Sequence, residues 1–214
     1  MMRPDAVLKI GGSLSRGGGL ASLCNSINRL GERYRLIVVP GGAGFADQVR
    51  DAYRRHKLDE TAAHRMALLA MDQYGYVLNH LISGSCLTAD LSEACEAAKS
   101  RAAVLLPSSP LLRADPLPHS WQVTSDTIAA WIAHSAHCPR LVLLKDVDGL
   151  MASSGLIPEL TPAQLAQHSG GVDEYLSHFL ATVNLETWIV NGLHPGRFSE
   201  LLESGHTTGT RITA

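Results

Sequence analysis

The chain has 214 residues, 45% of them hydrophobic and 18% charged; this suits one domain with a sizeable core and excludes a disordered chain. Its net charge of −2 offers no basic surface for nucleic acid, and no window approaches 18 uninterrupted apolar residues, so no membrane span is expected. The opening "MMRPDAVLKI" has an apolar run too short for a leader and broken by Lys9, so a cytoplasmic protein is expected.

Short apolar, β-branched runs alternate with helical patterns along the chain. "AVLKI" (6–10) reads as the first strand and carries one of only four lysines, with Lys57, Lys99 and Lys145. A buried ammonium without a partner costs several kcal/mol, so an anion is expected beside Lys9. Gly11-Gly12-Ser13 follows at once. A strand ending in two glycines before a helix can aim backbone N–H groups at phosphate; the plain alternative is a strand–helix turn with a snorkelling lysine. "GLASLCNSINRLGER" reads as the first helix. "LIVVP" (36–40) is the second strand and runs into Pro40-Gly41-Gly42-Ala43-Gly44-Phe45-Ala46-Asp47. Two such turns at the same end of neighbouring parallel strands would set a donor phosphate cradle beside an acceptor cradle. A GxGxxG fingerprint would need glycine at Asp47, and no Gly-Lys pair exists for a Walker loop.

Glu60 to Ile82 reads as a long helix, "DLSEACEAAKS" as another, and "AAVLLP" (102–107) as a strand. "PSSPLLRADPLPHS" (107–120) holds four of the ten prolines and reads as a loop without helix. "SDTIAAWIAHSA" is a helix capped by Thr124 or Ser125. Asp126 in its first turn is either an ordinary dipole partner or a carboxylate that orients Lys9. "LVLLK" (141–145) runs into Lys145-Asp146-Val147-Asp148-Gly149, either a solvated turn or a nucleotide site. "TPAQLAQ" begins with a Thr-Pro helix start. "TWIVN" (187–191) is a strand, "PGRFSELLESG" a helix from Pro195 to Gly205, and a glycine-containing strand closes the chain. Gly192 and the helix start near Pro195 are candidate nucleotide contacts. The alternation indicates a mostly parallel sheet covered on both faces, in one domain over 1–214.

Cys24, Cys86, Cys95 and Cys138 lack CxxC spacing and read as reduced thiols. The ten histidines contain no HExxH, and His134 with His137 lacks a third ligand, so no metal site built from side chains alone is expected. His64 reads as a surface or core residue. Trp121, Trp131 and Trp188 read as packing or interface anchors, and Tyr74, Tyr76 and Tyr175 as packing.

In this order the motifs resemble the amino-acid kinase family, which includes acetylglutamate, aspartate, uridylate and isopentenyl phosphate kinases. "LKIGGSL", "VVPGGAGFAD", "SDTIAA", "KDVDGL" and "GTRI" stand in the family's order over nearly the whole chain. The resemblance implies an α/β fold, a three-layer αβα sandwich around a mainly parallel sheet of about eight strands. It implies ATP-dependent phosphoryl transfer to a small molecule, with Mg2+ carried by the ATP phosphates, and a homodimer or larger homo-oligomer. Lys9 would stabilise the transferred group and Asp126 organise the catalytic groups. Gly11, Gly12 and Ser13 would hold donor phosphates, Gly41, Gly42 and Gly44 face the acceptor, and Asp146, Asp148 and Gly149 lie at the nucleotide. Many members carry a second catalytic lysine where this chain reads "SGGVDEYLSHFLATVNLETW"; Lys145 is the candidate substitute.

Isopentenyl phosphate kinases place a histidine where Asp47 stands. A carboxylate there repels phosphate and attracts ammonium. "PGGAGFADQVR", "AHRMALLAMDQYG" and "VDEYL…WIVNGLHPGRF" look like the small kinases of methanofuran biosynthesis, which convert an aminomethylfuran-methyl phosphate to its diphosphate. That likeness implies an acceptor with an ammonium and a phosphate, with Asp47 and Asp72 facing the amine. The other readings are a nucleotide-binding storage or regulatory protein on the same scaffold, and a kinase for an amino acid or isopentenyl phosphate.

Overall fold

The computed structural model describes residues 3–213; Met1 and Met2, part of the stretch read above for a leader, lie outside the described residues. The first half of the chain runs β1 (Ala6–Ile10), a 3-10 turn (Gly12–Arg16), α1 (Leu20–Gly31), β2 (Leu36–Pro40), α2 (Ala43–His56), α3 (Glu60–Leu81), β3 (Cys86–Thr88), α4 (Leu91–Ala97), β4 (Ala103–Leu105) and α5 (Ser108–Ala114). The second half runs α6 (Ser125–Ser135), β5 (Arg140–Lys145), β6 (Met151–Ala152), β7 (Gly155–Leu156), β8 (Glu159–Leu160), α7 (Pro162–Leu165), α8 (Leu176–Leu180), β9 (Glu186–Asn191), α9 (Pro195–Ser204) and β10 (Thr210–Ile212).

Eight strands form one sheet in the order β3-β4-β2-β1-β5-β9-β10-β8, and β6 with β7 forms a small hairpin. Every pair from β3 to β9 is parallel; β10 runs antiparallel to β9, and β8 is parallel to β10. The apolar strand runs are continuous because both faces are covered. Val7, Val39, Leu141 and Leu143 pack beneath α6, α8 and the start of α3, while Leu8, Val38, Val142 and Leu144 pack beneath α1, α9 and the end of α3. The result is an αβα sandwich.

The chain leaves β1 for β2 on one side and returns to β1 on the other through β5, so β1 sits at the reversal of strand order. Ligands bind parallel sheets at the carboxyl edge of such a point. Lys9 pairs with Leu143 of β5, so Lys145 lies two residues further along on the same face. Alternation thus aims both lysines toward α6.

Several elements differ from the sequence reading. The proline-rich stretch contains α5, because Pro107 stands at its N-cap and Pro110 within its first turn, where a missing N–H is not needed. Helix α2 carries only Ala46 and Val49 as buried positions, so its pattern is nearly all polar. Strands β3 and β8 are three and two residues long, too short to show a period. Thr124 is the N-cap residue of α6, yet its side chain makes no cap bond; Asp173 supplies the cap from 49 residues away. Among the described residues, no helix is long and apolar enough to cross a membrane.

Candidate active site

The turns after β1 and β2 leave the same edge of the sheet and touch. Gly11 N–H donates to Leu144 O at 2.9 Å and Gly41 N–H to Ile10 O at 2.9 Å, so the parallel ladder runs on into both turns. A Cβ on Gly12 would lie 2.7 Å from Ala43 Cα and 2.8 Å from its nitrogen; only glycine lets the two turns meet. Ala43 itself takes φ +45°, a left-handed conformation that costs an L-residue about 1 kcal/mol. Strain of this kind persists where surrounding structure over-determines it.

Behind the turns, Asp126 stands between two ammonium groups. Lys9 Nζ lies 2.8 Å from Oδ1, and Lys145 Nζ donates to Oδ2 at 2.8 Å. The Lys9 and Asp126 side chains are only 6% and 4% exposed. Burial alone would raise the Asp126 carboxyl, but the two lysine charges overcome it and hold the group far below the usual carboxylate range. Burial depresses the Lys9 ammonium below its usual 10.5, Asp126 opposes that, and Lys145 adds to it. Two ammonium groups thus stand together beside the glycine turns, an arrangement that fits a polyphosphate.

The segment before α8 closes this cluster. Asp173 takes the N–H groups of Thr124 (3.0 Å) and Thr127 (2.9 Å), both threonine hydroxyls, and the N–H of Leu176 (3.0 Å). Its own N–H points at Asp126 Oδ2 at 3.3 Å. Sequence reasoning missed Asp173, because "GGVDEYL" reads as polar surface.

A cavity of about 230 Å³ opens beside the turns, between the 3-10 turn, α2, α3 and the start of α6. Its floor is apolar: Ala63, Ala67, Met71, Trp121, Val123 and Ile128. Arg16, Asp47, Arg50, Glu60 and His64 form its rim. A second, wider cleft contains Lys9, Asp126, Lys145 and Asp173, and shares Glu60, Trp121 and Thr124 with the first cavity. Gly12, Ser13 and Gly42 line the smaller cavity.

Asp47, expected to face an acceptor amine, is on the rim, but it is not a free carboxylate: Arg16 binds Oδ2 at 2.6 Å and Arg50 binds Oδ1 at 3.0 Å. Arg50 in turn lies 5.5 Å from the Trp121 ring centroid. Glu60 stands on the same rim and makes no ion pair among the described residues. Asp72 does not join the cavity; it accepts the Ser108 N–H at 3.1 Å and the Ser108 hydroxyl, and so holds the start of α5. Gly44 stands in the first turn of α2 facing open space, away from the cavity lining. His64 lines the cavity rather than plain surface, stacked on His119 with ring centroids 4.6 Å apart. His119 is fixed by Thr61 (3.0 Å) and Asp115 (2.8 Å), and burial and His119 push the His64 imidazole below its ordinary value.

On the far side of β5, Asp148 accepts from Asn191 Nδ2 at 2.8 Å and from Arg197. This ties the loop after β5 to β9 and α9, beside exposed Asp146 and the Pro195 start of α9. These bonds hold the Asp148 carboxyl below its usual range. Gly149, at φ +148°, abuts Thr210, where a Cβ would lie 2.5 Å from Oγ1. Gly192 packs on Leu14 and Leu23. Both glycines thus have packing reasons to be there, and neither lines the two cavities. Among the described residues, no three His, Cys, Asp or Glu side chains gather as a metal site.

Known proteins resemble this chain in sequence and in fold. A model of the amino acid kinase family matches residues 6–191. The chain is 30% identical over 212 residues, 96% of each chain, to the (5-(aminomethyl)furan-3-yl)methyl phosphate kinase of Methanocaldococcus jannaschii. Its fold matches the uridylate kinase of Archaeoglobus fulgidus with a TM-score of 0.78 at 21% identity, covering 99% of this chain and 100% of that one. The UMP kinase of Bacillus anthracis matches with a TM-score of 0.74 at 17% identity, covering 99% and 97%.

Proposed function

We propose, from the premise that this chain belongs to the amino acid kinase family and is an ATP-dependent phosphotransferase acting on a small molecule, that its acceptor is an aminomethylfuran-methyl phosphate and its product the diphosphate. The carrying observation is the Lys9–Asp126–Lys145 cluster at the carboxyl edge of β1 and β5, directly behind two abutting glycine turns. Phosphoryl transfer needs alignment and charge neutralisation more than covalent help. An acceptor phosphate is already ionised at neutral pH, so no general base is required.

In this reading Gly11, Gly12 and Ser13 hold the donor phosphates, and Gly41 and Gly42 face the acceptor phosphate. Lys9 and Lys145 neutralise the equatorial oxygens of the moving group, and Lys145 serves as the second cation. Mg2+ supplies further charge neutralisation when ATP brings it on its own phosphates. Asp146, Asp148 and the start of α9 form the nucleotide side. The small cavity, with an apolar floor and a charged rim, suits a flat ring bearing charged arms. Of its carboxylates, Glu60 can meet an acceptor ammonium directly, whereas Asp47 would do so while bridged to Arg16 and Arg50. An exposed apolar stripe on α3, containing Met66, Leu69, Tyr76 and Val77, supports assembly into a homo-oligomer, which light scattering can test.

The test is a panel of acceptors incubated with ATP and Mg2+ and read by phosphorus resonance: the aminomethylfuran-methyl phosphate, its analogue without the amine, isopentenyl phosphate and amino acids. The expected result is a diphosphate product from the first, with ATP consumption dependent on it. Equal turnover of isopentenyl phosphate, or ATP use independent of any acceptor, overturns the reading.

A further inference from the structure

Five donors converge on one carboxylate in the loop before α8. Two threonine N–H groups, two threonine hydroxyls and the Leu176 N–H all point at Asp173. Four of those donors belong to the first turn of α6, the turn that carries Asp126. The loop is held a second time, by the Tyr175 N–H on Gln122 O at 3.2 Å. The Asp173 backbone then closes the circuit by pointing its N–H at Asp126 Oδ2, the oxygen that also accepts from Lys145.

An ordinary N-cap satisfies one or two helix N–H groups from the adjacent residue. Here the cap comes from a distant loop that forms one wall of the cleft holding both lysines. Burial and the nearby Asp126 charge push the Asp173 carboxyl above its ordinary value, the threonine bonds oppose that, and the group sits in the cleft that holds both lysines. We propose that Asp173 is a positioning residue of the phosphoryl-transfer site: it clamps the 170–175 loop to the start of α6, fixes Asp126 between Lys9 and Lys145, and sets a second negative charge near the Lys9 ammonium. The assignment rests on the kinase reading for its consequence in turnover, but its electrostatic part stands without it.

The groups facing Lys9 are Lys145 from β5, Asp126 from α6, and Asp173 and Glu174 from the loop, with Glu60 of α3 across the cleft. Asp126 and Asp173 both favour the charged form of Lys9, while burial and Lys145 disfavour it. Neutralising Asp173 must therefore let Lys9 lose its proton at lower pH.

The chain has four lysines, so a carbon-detected titration of their Cε positions, assigned by single substitutions, resolves Lys9 directly. In Asp173→Asn, the Lys9 titration moves to lower pH, the alkaline limb of kcat moves with it, kcat near neutral pH falls by about a hundredfold, and KM for ATP is unchanged. Asp173→Glu keeps the charge but cannot keep all five bonds, so kcat falls while the Lys9 titration stays in place. An Asp173→Asn protein with a lower melting temperature but an unmoved Lys9 titration and wild-type kcat overturns the proposal. If Asp173→Asn does not fold, Thr127→Val decides: kcat falls at constant KM for ATP, and an unchanged kcat overturns the proposal. If the wild-type protein phosphorylates none of the acceptors tested, the kinase reading fails, yet the Lys9 titration still decides the electrostatic role of Asp173.

Discussion

Asp126→Asn isolates the charge at the centre of the site with almost no change in shape. In the wild-type protein one carboxylate serves two ammonium groups at 2.8 Å each, all three side chains being 14% exposed or less. Removing one partner of a buried ion pair costs about 3–5 kcal/mol, because the remaining charge is left without compensation. Here two charges are left. The amide can still accept from one lysine, which returns part of the loss, so a net cost near the same about 3–5 kcal/mol is expected. For a chain of this length each kcal/mol moves the melting temperature by roughly 2–4 °C, giving a fall of roughly 6–20 °C without ligand. The two ammonium groups, without the carboxylate that bonds them both, should bind polyanions better, so pyrophosphate raises the variant's melting temperature more than the wild type's. Turnover falls by about 100-fold or more, since the lysines lose the group that aims them. Calorimetry at low salt with and without pyrophosphate, and an ATP-consumption assay, measure these quantities. Adding Lys145→Met to Asp126→Asn removes one orphaned charge and should recover part of the lost stability. A single variant melting within about 2 °C of wild type, or a double variant less stable than the single, refutes the reasoning.

Three further outcomes follow from the same geometry. Lys9 is depressed below its usual 10.5 by burial and by Lys145, so the folded chain releases a proton that the unfolded chain retains. Its contribution to stability therefore rises with pH across the window ending near 10.5, while turnover falls across that window as the ammonium is lost; buried Cys24 and Cys138 act the other way on total stability, so the measure is the stability of wild type relative to Lys9→Met, and a difference that fell with pH would contradict this. Gly12→Ala forces a methyl against the Ala43 backbone at 2.7 Å, with an expected cost of about 1–3 kcal/mol and a loss of kcat larger than the melting shift alone accounts for. Asp47→Asn frees Arg16 and Arg50, whereas Glu60→Gln leaves that bridge intact. If Glu60 meets the ammonium, Glu60→Gln erases the KM difference between the aminated acceptor and its analogue without the amine, and Asp47→Asn raises both values together; steady-state kinetics on the two acceptors separates the carboxylates.

The parts of the site that were legible in the sequence are those where a residue contradicts its surroundings. Lys9 inside "AVLKI" has no local excuse, and the required anion, Asp126, proved to be 2.8 Å away. Paired glycines after an apolar strand announce a backbone that must approach something closely, and the two turns do meet at Gly12 and Ala43. Asp173 gave no such signal: a carboxylate in a polar, glycine-bearing stretch looks solvated, and its burial depends on a loop reaching α6 across the fold. Asp72 misled for the opposite reason. On the long helix it faces the acceptor region in sequence order, but the helix α5 that its side chain holds was hidden in a proline-rich stretch counted as loop. Asp47 lies on the cavity rim, but its two arginine partners lie 31 residues before it and 3 after it, and only the first turn of the sheet edge brings Arg16 across.

The pairing of Lys9 with Lys145 shows how register turns two unremarkable strand ends into a site. Lys145 follows four consecutive buried apolar residues of β5, and nothing local says which face it takes. The face is fixed because β5 lies parallel to β1 with Lys9 opposite Leu143, so an odd-residue slip of either strand would send one lysine to the opposite face. Such a slip would also exchange Val142 and Leu144 with Leu141 and Leu143 between two covered faces, so both cores would have to repack, at a cost of about 1–3 kcal/mol for each misfitted side chain. The core residues of β5 therefore enforce the position of the second cation. Once both ammonium groups are on one face, a single carboxylate from the helix crossing that face can serve them, and Asp126 in the first turn of α6 is where that helix begins.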